Sequence, residues 1–454
     1  MNHSRIYVSM LLLVLALTFP HPPIAAATNV ENRIREGIEF ILGQFSNSSK
    51  IRGFLHDTTG SPGSGRIYSE DNGFVVLALA SYQETHFSSE FYSNVKLAVR
   101  FLQSAQTRNG DFYEYYNIAN DTWGTSGNLY YWNSFTILGP AYAAYTITNQ
   151  NPEERSYWSS VIDKLRLCVE YWLPRNMRPD GSITFAFPGQ TPRADVASNA
   201  AMLIALIHLA LFEHLWGDAV LARRYAQWSL SIANWLFVLQ ETNSTSWGRG
   251  GFYTNTTSYE QSAFGNAMAM SGLNSYYKAI SLLLQAFQPS LYDVRQSMID
   301  WAEGYVEKML DRWGGIQAGR INGMIISYPK PVVAASATLV SMVDVWIDIG
   351  APRYWNDSLG LYSWLTGENE YATDLQSALN LNGHGGGFYA GVDEGGVIRS
   401  SDLFTTSFGL YAIIRAAFVR IPGVYPIPEF PPAFITILAL MLAVVLLRRV
   451  QRID

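Results

Sequence analysis

The chain has 454 residues, a formal net charge of −6 and 15% charged residues. An acidic chain without a basic patch offers no electrostatic footprint for nucleic acid, and a hydrophobic content of 48% excludes a disordered chain. The single cysteine, Cys168, excludes a disulfide within the chain and a metal site built on paired cysteines.

The first 27 residues are predicted to be a secretory signal peptide. Arg5 precedes an apolar stretch over residues 8–19, and Ala25, Ala26 and Ala27 provide a small-residue cleavage site. This order of basic, apolar and small residues is typical of signal peptides. We therefore expect residues 28–421 to form a secreted ectodomain.

Apolar and amphipathic helices are predicted to alternate along this ectodomain. Six segments are apolar on almost every side: residues 73–82, 134–146, 197–215, 263–279, 332–347 and 404–418. A helix that is apolar all round is buried. The amphipathic segment 30–45 has no buried partner before it and the last buried segment has no amphipathic one after it, so the two complete each other if the chain closes into a ring.

A glycine turn is predicted to follow each amphipathic helix. In "FLQSAQTRNGDF", Phe101 is followed nine residues later by Gly110 and then by Phe112. The same turn is predicted at Gly53–Phe54, Gly181–Ile183, Gly251–Phe252, Gly314–Ile316 and Gly387–Phe388. We expect the glycine to end the outer helix in a left-handed conformation and the apolar residue to fill the space between hairpins. The pattern predicts an all-α fold, an (α/α)6 toroid of six helical hairpins, with an open superhelix as the alternative.

The stretch "EDNGFVVLALASYQETHFSSEFYSNVKLAVRFLQSAQTRNGDFYEYY" (residues 70–116) resembles the six-hairpin glycosidase-like superfamily. That resemblance implies a carbohydrate-active enzyme with its cleft at the glycine-turn face of the toroid. The form FLxxxQxxxGxF also resembles the repeats of terpene-cyclase toroids. Those cyclases need a DxDD-type acidic cluster, which the sequence lacks.

Polar residues precede each predicted inner helix and are expected to meet at one mouth of the ring. Helices one and four lie opposite each other in a six-fold ring, so we expect Asp71 and Glu260 to face each other as the catalytic pair, with Asp195 as a third candidate. Two facing carboxylates supply the acid and the base or nucleophile of glycoside hydrolysis. The alternative for Asp71, Asn133, Asp195 and Asp402 is a purely structural helix N-cap.

The remaining candidates are predicted to bind the substrate by stacking on sugar faces or by hydrogen bonding to hydroxyls. They are Glu70, Asp111, Tyr113, Glu114, Trp132, Asn133, Arg193, Tyr259, His384, Tyr389 and Asp402. No spacing indicates a metal site, and no cofactor is expected.

The leading functional prediction is a glycoside hydrolase acting on a polysaccharide or glycan. The first alternative is a polysaccharide lyase or uronate epimerase on acidic glycans, with His56 or His384 as base beside Tyr259 or Tyr389 and Arg193, Arg399 or Lys330 as the neutralising cation. The second alternative is a toroid that binds glycans or protein at the cell surface without catalysis.

The C-terminus is predicted to anchor the protein in a membrane. A Pro-rich linker (residues 422–431) precedes an apolar segment at 432–447, close to the shortest length that spans a bilayer. The basic tail, residues 448–454, is expected on the cytoplasmic side, so the ectodomain would lie outside. Pro428, Glu429 and Phe430 with this tail resemble the PEF-type sorting signals of archaeal surface proteins. That resemblance implies that the segment is cut and replaced by a lipid, and a plain membrane anchor is the alternative. Five glycosylation sequons fit such an exposed location: Asn47, Asn120, Asn243, Asn255 and Asn356.

Overall fold

The computed structural model of the chain describes residues 24–47, 50–56, 65–86, 88–124, 129–185, 192–283, 291–310, 315–317, 319–321, 324–326, 331–380, 382–393 and 396–418. Residues 32–419 form one compact unit. The predicted signal sequence up to residue 23, the linker, the membrane segment and the basic tail lie outside the described residues.

Six long helices form an inner set, and each is preceded by an outer helix. The inner helices are α2 (Ser69–His86), α4 (Leu129–Gln150), α7 (Val196–Trp216), α9 (Ala263–Leu283), α12 (Pro331–Ile349) and α14 (Leu403–Phe418). The outer positions hold α1 (Ile24–Gly43), α3 (Tyr92–Ala105), α5 (Arg155–Leu167) continuing into α6 (Leu173–Asn176), α8 (Ala219–Leu239), α10 (Leu291–Ile299) continuing into α11 (Glu307–Met309), and α13 (Pro352–Leu365). A π-helical segment joins α5 to α6 and another joins α10 to α11.

The inner helices form a closed ring. Each packs against the next in chain order, and α14 packs against α2. The outer helix α1 completes the last hairpin, because Gln376 and Asn380, in the segment after α13, donate hydrogen bonds to the carbonyls of Arg33 and Phe40. The predicted (α/α)6 ring is therefore confirmed.

The turn glycines allow each turn to pack closely against the next outer helix; they do not cap the helix before them, as was predicted. Helix α3 ends at Ala105, and Gln106 is extended, so Gly110 does not cap the helix. Gly110 has a φ of +87°, and a Cβ there would lie 2.2 Å from the carbonyl oxygen of Leu167 on the next outer helix. Gly181, Gly250 and Gly386 repeat both features, so the positions with positive φ and close backbone contact are Gly250 and Gly386 rather than the predicted Gly251 and Gly387.

A glutamine that follows every second outer helix links the turn there to the next outer helix. Gln106 Nε2 donates to the carbonyls of Gly110 (3.2 Å) and Leu165 (3.4 Å). Gln240 and Gln376 make the equivalent pairs of bonds. The glutamine of the repeated sequence pattern is therefore a structural link between hairpins.

An asparagine near the start of several inner helices clamps the turn that precedes it. Asn72 accepts from the amide of Phe54 at 3.0 Å and donates to the carbonyl of the same residue at 3.1 Å. Asn199 and Asn266 hold Ile183 and Phe252 in the same two-bond manner. These side chains are fully buried, and each clamp fixes the chain at the mouth of the ring.

Short antiparallel strands connect outer to inner helices, which the all-α prediction did not include. The sheets are β1 (Phe45–Asn47) with β2 (Arg52–Phe54); β3 (Arg66–Tyr68) with β4 (Tyr115–Asn117) and β5 (Thr122–Gly124); β6 (Thr184–Phe185) with β7 (Arg193–Ala194); β8 (Glu260–Ser262) with β9 (Gly319–Ile321) and β10 (Met324–Ile326); and β11 (Tyr389–Asp393) with β12 (Gly396–Ser401). In the first sheet Phe45 pairs with Phe54, so α1 ends at Gly43, before the predicted residue 45.

Two of the four predicted N-caps are correct. Asp195 accepts from the amide of Ser198 at the start of α7, and Asp402 accepts from the amide of Thr405 at the start of α14. Asp71 and Asn133 lie inside α2 and α4, so the cap prediction is wrong for them.

Two of the described helices, Val196–Trp216 and Pro331–Ile349, are long and apolar enough to cross a membrane. Both are inner helices of the ring, and most of each is buried inside the protein, so the ring itself explains their apolar character.

Substituting a turn glycine should destabilise the ring. We expect Gly110→Ala to lower the free energy of unfolding by about 2–4 kcal/mol, because it adds backbone strain and displaces the next outer helix. The matched control is Gly360→Ala in helix α13, where an added Cβ meets nothing within 4 Å and should stabilise by about 0.5–1 kcal/mol. Urea unfolding of both variants measures the difference, and equal midpoints would contradict the proposed role of the turn.

Candidate functional site

A histidine–aspartate pair lies where the ring closes between α14 and α2. His56 Nδ1 is 2.7 Å from Asp71 Oδ2. Asp71 is 3% exposed, whereas about a third (34%) of the His56 side chain is exposed. The carbonyl of His56 accepts from the amide of Leu403 at the start of α14. A buried carboxylate at this distance fixes the ring orientation and tautomer of the imidazole.

Aromatic and cationic side chains surround this pair. The His56 ring is 4.9 Å from that of Tyr68, which in turn is 5.4 Å from that of Tyr115. The guanidinium of Arg66 lies over Tyr115 at 4.4 Å and donates to the Tyr68 hydroxyl. We call His56, Arg66, Tyr68, Asp71 and Tyr115 the His56 cluster; it offers one proton-transfer group, ring faces and a cation.

The turn after α3 places Glu114 beside the cluster. Glu114 is 8% exposed, and its Oε2 has no hydrogen-bond partner among the described residues. Its own backbone carbonyl accepts from the amide of Ser69. Asp111 instead accepts from the Thr107 hydroxyl, and Tyr113 stacks on Trp123 at 5.3 Å, so both have structural contacts inside the turn.

The other two predicted catalytic acids lie at other helix starts. Asp195 is held by the amide and hydroxyl of Ser198, both at 2.9 Å, and burial raises its pKa despite these bonds. Glu260 begins strand β8 and is half-buried. Among the described contacts none joins Glu260 to Asp71; the partner of Asp71 is His56 instead.

The remaining predicted binding residues are spread around the mouth. Tyr259 is 72% exposed and meets Tyr253 edge-on. Asn133 is buried and accepts from the amide of Phe112, which is a structural contact. Glu70 and Tyr389 are half-buried, Arg193 and His384 are exposed, and Asp402 caps α14. Trp132 lies in α4, but its side chain is outside the described set.

A cluster of phenylalanines fills the axis of the ring below the mouth. Phe74, Phe135, Phe264, Phe404 and Phe408 come from the first halves of four inner helices. Their ring centroids are 4.7–6.5 Å apart. We call this cluster the phenylalanine plug. Because Phe264 and Phe404 stay partly exposed, the plug forms an aromatic floor for the mouth.

Below the plug lies a cavity of about 90 Å³ that all six inner helices line. Its polar lining residues come mainly from the second halves of these helices: Tyr142, His208, Ser275, Asp344, Tyr411 and Arg415, with Ser271 near the middle of α9. We call it the axial chamber. Since first halves meet in the plug and second halves meet here, the inner helices run parallel, and the chamber lies toward the end of the ring opposite the mouth.

Several members of this arrangement were missed in the sequence. Arg66 and Tyr68 share one face of strand β3, but a strand of three residues is too short for its alternation to be recognised in the sequence. Phe264 and Phe404 lie at the starts of inner helices, and the apolar sequence around them is typical of ordinary core residues. Among the described residues no three His, Cys, Asp or Glu side chains group as a metal site.

Comparison with solved structures shows that the fold is shared with carbohydrate-acting proteins. Cellobiose 2-epimerase from Bacillus thermoamylovorans is 11% identical and has a TM-score of 0.62, with 84% of this chain and 98% of that one covered. A D-mannose isomerase is 14% identical with a TM-score of 0.61, and the coverage is 87% and 99%. A family 76 glycoside hydrolase, a mannosidase from Bacteroides thetaiotaomicron, is 9% identical with a TM-score of 0.57, and the coverage is 86% and 98%.

No protein-family model matches the sequence, and a search of curated proteins finds no match either. At these identities the likeness to solved structures establishes the toroid fold alone.

The axial chamber makes the stability of the ring depend on pH. Burial lowers the pKa of His208, so the unfolded chain takes up a proton before the folded chain does. The stabilising effect of neutral His208 is complete above the unfolded value of about 6.5 and is lost as the pH falls toward the folded value.

We therefore expect His208→Asn, which keeps a donor for the Ile204 carbonyl, to lose less stability than the parent between pH 7.5 and 5. Urea midpoints at both pH values measure this, and His214→Asn, at an exposed histidine, is the control. Parallel losses in all three proteins would contradict the expectation.

Proposed function

We propose that the protein is a carbohydrate-active enzyme whose reaction takes place at the mouth, with His56 as the residue that transfers the proton. The observation that carries the proposal is the 2.7 Å contact between His56 and the buried Asp71. Because Nδ1 is held by the carboxylate, Nε2 is the nitrogen that exchanges a proton with a substrate. Asp71 is buried behind His56, which favours a positioning role for this carboxylate over direct attack on a sugar.

Epimerisation or isomerisation of a reducing sugar is the reaction that this pair supports best. A base removes the proton from the carbon next to the carbonyl of the open-chain sugar. In epimerisation a solvent-derived proton is then added to the opposite face of that carbon; in isomerisation the proton is added to the carbonyl carbon and the neighbouring hydroxyl loses its proton to become the new carbonyl. The Tyr68 and Tyr115 rings would stack on the sugar, and Arg66 would stabilise the enolate oxygen. Solved neighbours with this fold include a cellobiose 2-epimerase and a D-mannose isomerase.

Glycoside hydrolysis, the reaction expected from the sequence, is the second candidate. The raised pKa of Asp195 suits a general acid, and Glu114 has an unpartnered carboxylate oxygen. A family 76 α-1,6-mannanase of the same fold, from Salegentibacter, is described as inactive when two consecutive aspartates are replaced by asparagine. Glu70 and Asp71 are a consecutive acid pair at the mouth of this chain.

We also propose that the enzyme acts outside the cell, tethered by its C-terminal apolar segment. Support comes from the signal-like N-terminus, the apolar run at 432–447 and the arginines that follow it. Protease accessibility of the ring in intact cells tests this location, and protection of the ring from added protease would contradict it.

Isotope labelling distinguishes the two reactions. The full-length chain is incubated with cello- and manno-oligosaccharides and with acidic glycans, in water enriched in deuterium and heavy oxygen. Epimerisation predicts products with carbon-bound deuterium and no heavy oxygen from bond cleavage. Hydrolysis predicts shortened products that carry heavy oxygen. Unsaturated products would identify a lyase, and absence of any product would leave a glycan-binding toroid.

Variants then test the role of the pair. We expect His56→Gln to lower kcat by about 10²–10⁴-fold, and Asp71→Asn to lower kcat more than it changes KM and to alter the pH–rate profile. The matched control is His214→Gln, at an exposed histidine remote from the mouth. A His56→Gln protein as active as His214→Gln would contradict the proposal.

A further inference from the structure

The axial chamber holds polar groups that the proposed function does not use. The phenylalanine plug separates it from the His56 cluster, so it is not part of the same site. The side chain of Arg415, which lines the chamber, is 28% exposed, and that of the neighbouring Glu84 is 31% exposed. The chamber therefore opens at the end opposite the mouth.

Several hydrogen-bond donors in the chamber have no acceptor in the part of the chain that the structure describes. Among the described residues, the Arg415 guanidinium makes no hydrogen bond and has one ion-pair contact, to Glu84 at 3.8 Å. The hydroxyls of Tyr411, Ser271 and Ser275, which also line the cavity, make no hydrogen bond there either. Arginine has five N–H donors, so a large donor capacity faces the cavity.

Acceptors lie beside these donors. His208 Nδ1 is 2.8 Å from the carbonyl of Ile204, and because a carbonyl only accepts, Nδ1 carries the hydrogen and Nε2 is an acceptor. Asp344 adds a carboxylate that is 13% exposed and 3.7 Å from Lys278. The Glu84 carboxylate accepts from the Tyr142 hydroxyl.

We propose that the axial chamber is a second ligand site, specific for a small neutral polyol or for the hydroxyl-bearing edge of a sugar. Hydroxyl groups both donate and accept, so they satisfy the guanidinium and the imidazole at once. An anion would be repelled by Glu84 and Asp344, and a cation by Arg415 and Lys278.

The shape of the chamber agrees with this ligand class. Leu77, Leu138 and Met268 form an apolar wall, and the rings of Phe408 and Tyr411 stack at 6.1 Å, which suits the C–H face of a polyol. The cavity is smaller than the roughly 150 Å³ that holds a benzene molecule. A triol or tetritol has at least as many heavy atoms as benzene, so only part of it fits inside the cavity and the rest lies in the opening.

The test measures the binding of erythritol and glycerol to the full-length chain by ligand-observed NMR and by calorimetry. Sodium acetate and tetramethylammonium serve as ionic probes. We expect saturable polyol binding with a Kd on the order of 1 mM, about −4 kcal/mol. Arg415→Met and the conservative Tyr411→Phe should each weaken it at least fivefold. Gly360→Ala, in the outer helix α13 where an added Cβ meets nothing within 4 Å, should leave it unchanged.

Three results would overturn the proposal: no saturable polyol binding, preference for acetate or tetramethylammonium, or equal polyol affinity in Tyr411→Phe and the parent. Urea midpoints show whether each variant is folded. If Arg415→Met does not fold, the polyol affinity of Tyr411→Phe alone decides between the two outcomes. Loss of catalysis in His56→Gln has no bearing on this outcome, so the two proposals fail separately.

Discussion

The structure depends on the amide clamp that each of several inner helices places on the turn before it. At the point of ring closure Asn72 bonds both the amide and the carbonyl of Phe54. His56 follows Phe54 by two residues, and Asp71 precedes Asn72 by one. The clamp therefore brings two distant stretches of chain into register, and the contact between His56 and Asp71 follows from it. A buried amide with both ends satisfied is costly to break, which makes the geometry rigid.

The ring has two chemically different ends because the phenylalanine plug divides its axis. Above the plug, turns and short strands present His56, Tyr68 and Tyr115 around a partly exposed aromatic floor. Below it, the inner helices themselves present Arg415, His208 and Asp344. Polar groups inside apolar helices cost free energy unless they are paired or solvated. Their concentration around one cavity is what distinguishes the lower end from ordinary core.

The ring architecture could be predicted from the sequence because it rests on long helical periodicity and a repeated turn. The apolar inner helices and the closing role of α1 follow from patterns over many residues. The role of the turn glycine could not be read in the same way: Gly110 is constrained by the backbone of the next outer helix, a contact that depends on how hairpins pack. For the same reason the register of the repeat was off by one at Gly250 and Gly386.

The candidate site was less accessible to sequence reasoning because its contacts cross between elements. Asp71 is where it was expected, at the mouth, but its partner is His56, which lies fifteen residues earlier in a turn. N-cap preference is a local property, so it identified Asp195 and Asp402 correctly. It failed for Asn133, whose partner Phe112 is twenty-one residues away.

The most direct measurement is the structure of the protein bound to the reduced, alditol form of the sugar that it converts best. The account predicts that the alditol lies at the mouth, with its second carbon about 3–3.5 Å from His56 Nε2, the range of a reactive complex, and with its chain against Tyr68 and Tyr115. An alditol bound at the mouth but remote from His56, or bound only below the phenylalanine plug, would contradict the central claim.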